Sequence, residues 1–545
     1  MFDPKNRPTL TEELMELDRR ITTLLASRTN LLARAALSRK SKKAGITDPS
    51  QEKKLWQVWS DAAKSDNLEV QFVKKIFHLS NNLAYARAER NASAEKPLCL
   101  FPRRQPVNIH IDAPRDQILR SMMFVLGATS SAPLSIASCQ GNSNVVELIN
   151  ALNLCGFNIV YDNGQCTISP VPTWSMDNKV VYAGQSKFHL YLLLCLTLGR
   201  VNRVKITGAT KLKLHDLRSV QDFLPHLGAR LTIVEPHSFG VPIRIEASGQ
   251  IPDEITVPPG LSKKFILALV VATTTFHKKC VLRLHNSYTN SKLLRKGIGF
   301  LQHYISEIQF DGSQIIIPEM SPELAFSRVD IPVDPLMSLY LLSLPFFTEG
   351  KVILQGKWPT QDPHLQEILD ILLEIGLHIE VGPEQTSSRM GKAPANIAID
   401  LVNFSEYLPL LLSLALGMNT KCTLTMDPKH EDMAHALDLL ENIGIQYTLE
   451  SGMLTLLPTT KKTHDMYWQS PGPYWTLAGA LISFIRPGLC IANADNILSA
   501  WPWFWKMFMN LPEPQNFLYP PRDKNLPDQS DNEKPQRKRI KITRN

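Results

Sequence analysis

The chain has 545 residues, 44% of them hydrophobic, which is enough for several domains with complete cores. Its net charge of +8 is the balance of 59 basic and 51 acidic residues, so the surface is mixed and nucleic acid is not an expected partner. The eight cysteines show no zinc-ligand spacing, which predicts reduced, mostly buried thiols, no metal site and a cytoplasmic location. The N-terminus lacks signal-peptide features, and no apolar run is long enough to span a membrane.

Residues 1–92 form a predicted all-α helical module. Thr9 or Thr11 can cap its first helix, Asp48 caps the second, and a third covers residues 69–90. Arg28 lies on the apolar stripe of the first helix, where it either snorkels at the edge of a contact or is held by a buried anion. The module has too little core to stand alone, so we expect a homodimer through the first helix. That stripe comprises Leu14, Leu17, Ile21, Leu24, Leu31 and Leu32.

This module resembles the all-helical chorismate mutase family over residues 10–90. The resemblance implies a pocket for chorismate made by Arg28, Arg39, Asp48 and Glu52, because that rearrangement needs placed charges and shape rather than a nucleophile. Three positions depart from the family pattern. A first-helix arginine is replaced by threonine and two polar groups near the ether oxygen by alanine, so the resemblance supports the fold more firmly than the activity. The residues that carry the match are Leu17, Asp18, Leu24, Leu25, Ala26, Arg28, Asp48, Glu52 and Leu79, and those that depart are Thr11, Ala84 and Ala88.

Three further segments follow the helical module. Residues 93–106 lose periodicity and contain prolines, which predicts a linker. Residues 107–520 form the large domain. Residues 521–545 form a basic tail that we expect to be disordered; it either stays solvated or touches nucleic acid or anionic lipid.

The large domain begins with a predicted strand, turn and helix over residues 107–128. Arg115 and Arg120 stand near the start of that helix. A helix N-terminus with nearby arginines suits an anionic ligand. The alternative is a surface unit whose arginines are simply solvated.

A repeated pattern organises the rest of this domain. An apolar helix end, a glycine and an alternating strand recur at Gly156, Gly228, Gly376 and Gly444. The glycine allows the left-handed residue that ends a helix before the next strand. Four helices are apolar on nearly every face, which predicts that they lie at the centre with the sheets outside. They cover residues 190–198, 265–271, 336–344 and 407–416.

These features resemble the enolpyruvyl transferase family over residues 107–510. The residues that carry the match are residues 107–128, 207–229, 260–265 and 333–340. The resemblance implies an α/β (α+β) fold, a two-lobed inverse α/β barrel of repeated β-α-β-α-β-β units. It also implies transfer of an enolpyruvyl group from phosphoenolpyruvate to shikimate 3-phosphate, without a cofactor or a metal.

The resemblance assigns site residues on the shikimate 3-phosphate side. Glu406 aligns with the carboxylate that receives the hydroxyl proton, and Glu431 with a second catalytic acid. Glu406 can equally be a helix cap, and the paired lysines can equally be solvated. The residues implied to bind shikimate 3-phosphate are Arg115, Arg120, Ser262, Lys263, Lys264 and Asp334.

The phosphoenolpyruvate side departs from the family pattern. Several of its cations are lost, and Lys187 and His189 can replace only one charge. The neighbouring aromatic run, residues 501–505, is interpreted as packing or a partner surface. The changed positions are Ala183, Gly184, Phe188, His215, Gly472, Pro473, Tyr474, Trp475 and Ser499.

Three functions remain open on the sequence alone. The first is an enolpyruvyl transferase of aromatic amino-acid biosynthesis, the shikimate pathway, fused to a chorismate mutase-like module. The second is a catalytically degenerate protein that keeps both folds and acts as a regulator or scaffold. The third is a nucleic-acid binder that uses the tail. The expected small-molecule partners are shikimate 3-phosphate and phosphoenolpyruvate, with chorismate as a further candidate, and no membrane.

Overall fold

The structure is a computed structural model. It describes residues 9–41, 48–93, 97–139, 141–162, 164–171, 173–235, 238–319, 327–359, 363–392, 394, 396–418, 420–457 and 466–512. The predicted basic tail, residues 521–545, lies outside the described residues.

Three helices form the N-terminal module: α1 (Leu10–Ser41), α2 (Pro49–Ser65) and α3 (Val70–Ser93). Thr9 caps α1 reciprocally with Glu12, since each side chain accepts a hydrogen bond from the other residue's backbone N–H. Asp48 caps α2 by accepting from two backbone N–H groups, as predicted. The module has a small core between α1 and α3, and α3 contacts the large domain.

The large domain consists of short strands and helices in alternation. Its core residues divide into two lobes, one formed by residues 119–331 and the other by residues 100–113 and 333–511. The elements up to the second crossing are β1 (Leu98–Leu100), β2 (Val107–Asp112), α4 (Gln117–Thr129), β3 (Leu134–Ala137), α5 (Ser143–Leu154), β4 (Asn158–Asp162), β5 (Gln165–Ser169), β6 (Val180–Tyr182), α6 (Lys187–Leu196), β7 (Val201–Thr207), α7 (Thr210–Lys213), α8 (Arg218–Phe223), β8 (Ala229–Ile233), β9 (Ile243–Ser248), β10 (Glu254–Val257), α9 (Lys263–Thr273), β11 (Cys280–Leu284), α10 (Lys292–Tyr304), β12 (Gln309–Phe310), β13 (Gln314–Ile317) and β14 (Arg328–Asp330).

The remaining elements complete the second lobe. They are α11 (Pro335–Leu342), α12 (Leu344–Thr348), β15 (Gly350–Gln355), α13 (Pro363–Glu374), β16 (Leu377–Val381), β17 (Gln385–Met390), β18 (Ile397–Asp400), α14 (Leu408–Met418), β19 (Cys422–Thr425), α15 (Glu431–Asn442), β20 (Tyr447–Glu450), β21 (Met453–Leu456), β22 (Tyr467–Gln469), α16 (Pro473–Ile482), β23 (Leu489–Ala492) and α17 (Phe504–Met509).

Five four-stranded sheets share one strand order within the described chain. In each, a parallel pair is extended by an antiparallel hairpin, as in β6-β7-β9-β8. Two sheets exchange their first strand across the lobes. β2 pairs with β15 of the second lobe, whereas β14 pairs with β3 of the first. A sixth sheet, β1-β23-β22, has three strands.

Each lobe has its own core around buried helices. The core of the first lobe contains residues 119–331, and that of the second contains residues 100–113 and 333–511. We call these the first lobe and the second lobe. The predicted central helices correspond to α6, α9, α11 and α14, and almost every residue in them is buried. The sequence prediction of helices inside and sheets outside, the two-lobed inverse α/β barrel, is therefore confirmed.

The glycines that mark the repeat have the expected backbone. Their φ angles lie between 67° and 102°, in the left-handed region where a side chain is strained. Each lets the chain turn directly from a helix into a strand. The four are Gly156, Gly228, Gly376 and Gly444.

One sequence expectation is corrected. Cys99 and Cys490 form a disulfide, so the prediction that all cysteines are reduced is wrong for this pair. The two residues face each other in the register of β1 and β23, a contact between distant parts of the chain for which the sequence has no signal. β1 also lies inside the segment predicted as a linker. The six other cysteines are free and buried.

No helix among the described residues is both long enough and apolar enough to cross a bilayer.

Candidate functional site

Four lysines of the first lobe converge where helices of that lobe begin. Lys187 opens α6, Lys211 lies in α7, Lys264 is in the first turn of α9, and Lys296 is near the start of α10. Burial lowers the pKa of Lys264, and the charges of the other three lower it further. The four ammonium groups, which we call the lysine cluster, therefore lie within electrostatic range of one another.

The helix starts that carry the lysine cluster have no acid in their own first turns, although Lys296 pairs with Asp116 of the α4 cap at 2.6 Å. The first turns of α6, α9 and α10 contain no Asp or Glu. A helix N-terminus is itself partly positive, so a lysine there is unfavourable unless an anion binds. At α9 the cap position is Ser262, and its side chain makes no capping hydrogen bond to the backbone. The neighbouring Lys263 is exposed.

Two uncharged side chains, Tyr191 and His215, lie beside the lysine cluster. The Tyr191 hydroxyl and His215 Nε2 are 2.6 Å apart, and the Tyr191 side chain also hydrogen-bonds that of Ser262. Burial lowers the pKa of His215 to about 4, helped by the charges of Lys187 and Lys264. Burial raises the pKa of Tyr191 to about 12. Both side chains are therefore neutral at pH 7 and offer hydrogen bonds rather than charge.

The two arginines predicted to bind an anion lie elsewhere. Arg115 Nη1 donates to the Ile331 carbonyl at 3.2 Å, and its side chain lines a pocket of about 320 Å³ at the lobe crossing. Arg120 is only 2% exposed, inside the core of the first lobe. The N-terminus of α4 is capped by Asp116, whose Oδ1 accepts from the backbone N–H of Ile118 and of Leu119. This helix end is thus occupied by the chain's own carboxylate.

Asp334 lies at the crossing between the lobes. It caps α11 by accepting from the Met337 N–H at 3.0 Å. Burial and then the negative charge of Asp116 raise the pKa of Asp334 to about 6. The structure therefore brings this predicted site residue next to a second carboxylate that the sequence did not single out.

Glu406 is engaged by a cation from the opposite lobe. Lys292 Nζ is 2.9 Å from Glu406 Oε1 and 2.7 Å from the Asn403 carbonyl oxygen, and it lies 4.9 Å from the centre of the Phe404 ring. Lys292 opens α10 of the first lobe, so this ion pair joins the lobes. The sequence left two roles open for Glu406, a catalytic base or a helix cap. Neither role includes an ion pair with Lys292.

Glu431 occupies the first position of α15 and is exposed. The neighbouring Asp432 is turned inward and accepts a hydrogen bond from Trp475 Nε1 at 2.8 Å. The acid that contacts the second lobe's aromatic residues is therefore Asp432.

The residues predicted to bind chorismate lie around Tyr85 in the helical module. Arg28 donates to the side-chain oxygens of Ser80 and Asn81. Its guanidinium lies 5.1 Å from the ring centres of Trp59 and Phe77. This is neither of the two environments that the sequence left open for Arg28.

The other predicted residues of this pocket are also paired. Arg39 forms an ion pair with Asp48, and Glu52 accepts a hydrogen bond from the Tyr85 hydroxyl. Burial and Glu52 raise the pKa of Tyr85, and the charges of Arg28 and Arg39 partly offset this increase. These groups therefore share one site, and Tyr85 is a member that the sequence did not indicate.

Both parts of the chain are similar to known proteins. Residues 10–84 match the chorismate mutase type II family. A 3-phosphoshikimate 1-carboxyvinyltransferase of Sulfurovum sp. (strain NBC37-1) is 20% identical over 365 residues, covering 65% of this chain and 85% of that protein. One from Nitrosopumilus maritimus (strain SCM1) is 22% identical over 220 residues, covering 39% of this chain and 50% of that protein.

Solved structures share the large domain's fold. An EPSP synthase from Acinetobacter baumannii superposes with a TM-score of 0.60 at 15% identity, over 75% of this chain and 96% of that structure. The enolpyruvyl transferase NikO from Streptomyces tendae gives a TM-score of 0.59 at 15% identity, with the same coverage. The chain thus joins a chorismate mutase type II-like module to a domain with an EPSP synthase-like fold.

In the EPSP synthase-like domain, the predicted phosphoenolpyruvate side is occupied by the chain's own groups. Glu147 of α5 packs against Gly184, so closely that a side chain at position 184 would overlap its carboxylate. Burial raises the pKa of Glu147. At the other edge, Asn144 Nδ2 donates across the lobes to the Ser499 carbonyl at 3.3 Å, and Asn142 Nδ2 to that of Ala500 at 3.2 Å.

The aromatic residues on this side mainly pack within the second lobe. Trp501 is 6% exposed, and Trp505 Nε1 donates to the Ala494 carbonyl at 2.6 Å, whereas Trp503 is 37% exposed. Tyr474 stacks near Tyr340 with ring centres 6.3 Å apart. These contacts favour the packing interpretation of the aromatic run for two of its three tryptophans.

Sequence reasoning missed Lys211 and Lys296 of the lysine cluster in the EPSP synthase-like domain. A usable signal existed, since several predicted helix starts carry lysine and no acid in the first turn, against the usual preference. What the sequence could not supply is that these helix starts meet at one place.

Proposed function

We propose that the EPSP synthase-like domain binds shikimate 3-phosphate and transfers to it the enolpyruvyl group of phosphoenolpyruvate. The observation that carries this proposal is the lysine cluster. Lys187 and Lys264 lie in first turns that hold no acid, and the charges of Lys211 and Lys296 add to theirs, so this region favours an anion. A phosphate monoester supplies two charges and several acceptor oxygens. The relatives' printed name, 3-phosphoshikimate 1-carboxyvinyltransferase, supports the same acceptor.

In this proposal, the residues predicted to bind shikimate 3-phosphate have different roles from one another. Ser262 and Lys264 bind the phosphate directly, because the Lys264 ammonium group lies within electrostatic range of the other three lysines, and Lys263 contributes long-range charge. Arg115 and Arg120 support the lobe crossing and the core instead of the ligand. Glu406 forms an ion pair with Lys292 that joins the lobes.

A second candidate is binding without transfer, as a regulator or scaffold of the pathway. The observation that favours it is the phosphoenolpyruvate side of the cleft. His215 is neutral, and Glu147 places a carboxylate beside Gly184. The side chains of Asn142 and Asn144 donate hydrogen bonds to the carbonyls of residues 500 and 499. A trianionic donor would meet repulsion there, and unpaired buried charges cost several kcal/mol each.

Calorimetry and a phosphate-release assay on the full chain separate these candidates. We expect micromolar-range binding of shikimate 3-phosphate, and Lys264→Ala should weaken it about tenfold or more because a charge-assisted bond is lost. Lys279→Ala, which removes an exposed lysine of the same lobe, is the matched control. Phosphate release from both substrates supports transfer. Binding without release supports the second candidate, and no binding refutes both.

For the helical module we propose a homodimer through α1 and a site for a dicarboxylate such as chorismate. Arg28 and Arg39 supply the cations of that site. Its carboxylates would have to displace Asp48 from Arg39, which argues for weak binding. A cytoplasmic location is part of the same proposal, in keeping with the anionic metabolites involved.

A further inference from the structure

The two segments that cross between the lobes share a sequence pattern. Residues 111–116 read IDAPRD and residues 329–334 read VDIPVD. Each runs from a strand through a proline to an aspartate that caps the next helix, α4 in one case and α11 in the other. The two ends of this repeat are therefore Asp116 and Asp334.

The crossing segments hold these two aspartates close together. The Asp334 N–H donates to the Pro114 carbonyl at 2.7 Å, and the Asp116 N–H donates to the Pro332 carbonyl at 3.0 Å. An antiparallel bridge between Arg115 and Val333 lies between these two bonds. These backbone contacts hold Asp116 and Asp334 next to each other. Neither aspartate can move away from the other unless the contacts between the two crossing segments break.

One cation serves the two carboxylates. Lys296 Nζ of α10 is 2.6 Å from Asp116 Oδ2, and the Asp116 side chain is 5% exposed. The charged and titratable groups that face Asp334 are Asp116, Lys296 and the phenol of Tyr474 on α16. The buried Asp116 carboxylate accepts from two backbone N–H groups and pairs with Lys296, whereas Asp334 is partly exposed at the crossing between the lobes.

We propose that Asp334 is the group that takes the proton of the acceptor hydroxyl, with Asp116 and Lys296 as positioning residues. The proposal rests on the transfer function proposed above. Glu406, the base implied by family resemblance, is held in an ion pair with Lys292 across the lobes. Asp334 can bind and release a proton near neutral pH because burial and the adjacent Asp116 disfavour its ionised form.

The step balances without any further reactant. The hydroxyl proton moves to the Asp334 carboxylate as the acceptor oxygen bonds to C2 of the enolpyruvyl donor, and the methylene carbon takes up a proton from an acidic group of the site. The C2–O bond to phosphate then breaks, the new methyl carbon returns its proton to that acidic group, and the proton on Asp334 passes to the departing phosphate. The products are the enolpyruvyl ether and inorganic phosphate.

The pH profile of phosphate release is the decisive measurement. Wild-type kcat should fall on the acid side with a midpoint near the pKa of Asp334, about 6. Asp334→Asn should lose about 100-fold or more in kcat with little change in the KM for shikimate 3-phosphate, and Asp334→Glu should recover part of it. Asp116→Asn should move the acid limb to lower pH, because it removes the neighbouring negative charge. Glu406→Gln should keep the limb in place.

Two results would overturn the proposal: an unchanged acid limb in Asp116→Asn, or a limb that moves only in Glu406→Gln. Urea unfolding tests the shared site without turnover. A carboxyl whose pKa is raised by folding stabilises the fold below about pH 4, and this stability is lost as pH rises towards 6. Asp334→Asn should flatten that decline. If wild-type protein releases no phosphate, the transfer function and the proton acceptor both fail, while the unfolding curves still decide whether Asp334 is protonated.

Discussion

At the scale of single residues, His189 is the most constrained titratable group next to the candidate site. It lies in α6, 4% exposed, with Nε2 3.0 Å from the Ser121 hydroxyl. Burial, reinforced by the charge of Arg120, lowers its pKa to about 3. The sequence offered His189 as a replacement cation, but a neutral imidazole at pH 7 supplies no positive charge.

Acidification should therefore destabilise the protein through His189. The folded form resists protonation while the unfolded chain protonates near pH 6.5, so stability is complete above that pH and is lost as pH falls. Between about pH 7 and pH 5 the expected loss is about 2 kcal/mol from this residue. Urea unfolding of wild type and His189→Gln at both pH values measures it. The pKa of His215 is also lowered, so wild type and His189→Gln both lose stability through that residue. The contribution of His189 is the difference between the two losses, and equal losses in both proteins would contradict the prediction.

Residue roles were only partly predictable. The sequence placed Ser262, Lys264 and Asp334 at helix starts, as the structure does, because short motifs fix these positions; their roles in binding remain predictions. The hydrogen bond from Arg115 to the Ile331 carbonyl could not be predicted, since the direction of a long side chain depends on a segment that lies far along the chain. It also overlooked the capping role of Asp116, which removes the α4 N-terminus from the set of available anion sites.

At the scale of elements, the helix-to-strand turns depend on glycine. Gly228 has a φ of 67°, and a Cβ added there would overlap the Gln250 carbonyl oxygen and the Ser248 hydroxyl. The same turn carries the hydrogen bond from the Ser248 N–H to the Gly228 carbonyl at 2.9 Å. The residue thus meets both a backbone and a packing constraint.

Gly228→Ala should lower the free energy of unfolding by about 1–3 kcal/mol, because the side chain is strained at positive φ and crowded by backbone. Gly299→Ala is the control. Gly299 lies within α10, and nothing comes within 4 Å of an added Cβ there, so this change should leave stability equal or up to about 1 kcal/mol higher. Equal losses in the two variants, measured by urea unfolding, would refute the argument.

The sequence predicted elements well where periodicity was strong. The apolar central helices and the glycine turns could be found because burial on all faces and a left-handed residue leave clear patterns. β1 could not, since three residues between prolines carry no period, and its partner β23 lies almost 400 residues away. The proposed domain limits at residues 92 and 106 remain predictions.

At the scale of the whole molecule, α1 leaves an apolar face uncovered. Leu14, Leu17, Ile21 and Leu24 are each about half exposed or more, and they alternate at spacings of three and four residues. This spacing is that of a coiled-coil seam, in which a partner helix covers the same positions. A second copy of α1 offers a matching face, which supports the proposed homodimer.

Ile21→Glu should convert the dimer into a monomer, because a carboxylate at the centre of the seam would be buried against leucines. Ala26→Glu adds the same charge on a position outside the seam and should leave the dimer intact. Sedimentation velocity of the three proteins at about 10 µM measures the change. A monomeric wild type, or an unchanged dimer in Ile21→Glu, would refute the proposed interface.

The exchanged strands of the two crossing sheets constrain how the chain can fold. β2 emerges early in synthesis but pairs with β15, so its sheet cannot close until residue 355 has been made. The whole first lobe is an insertion between these two strands and must form while β2 waits unpaired. Closing so long a loop makes a slow, high-contact-order step. Separating the lobes by truncation would leave an open sheet edge in each half, so neither should be stable as an independent fragment.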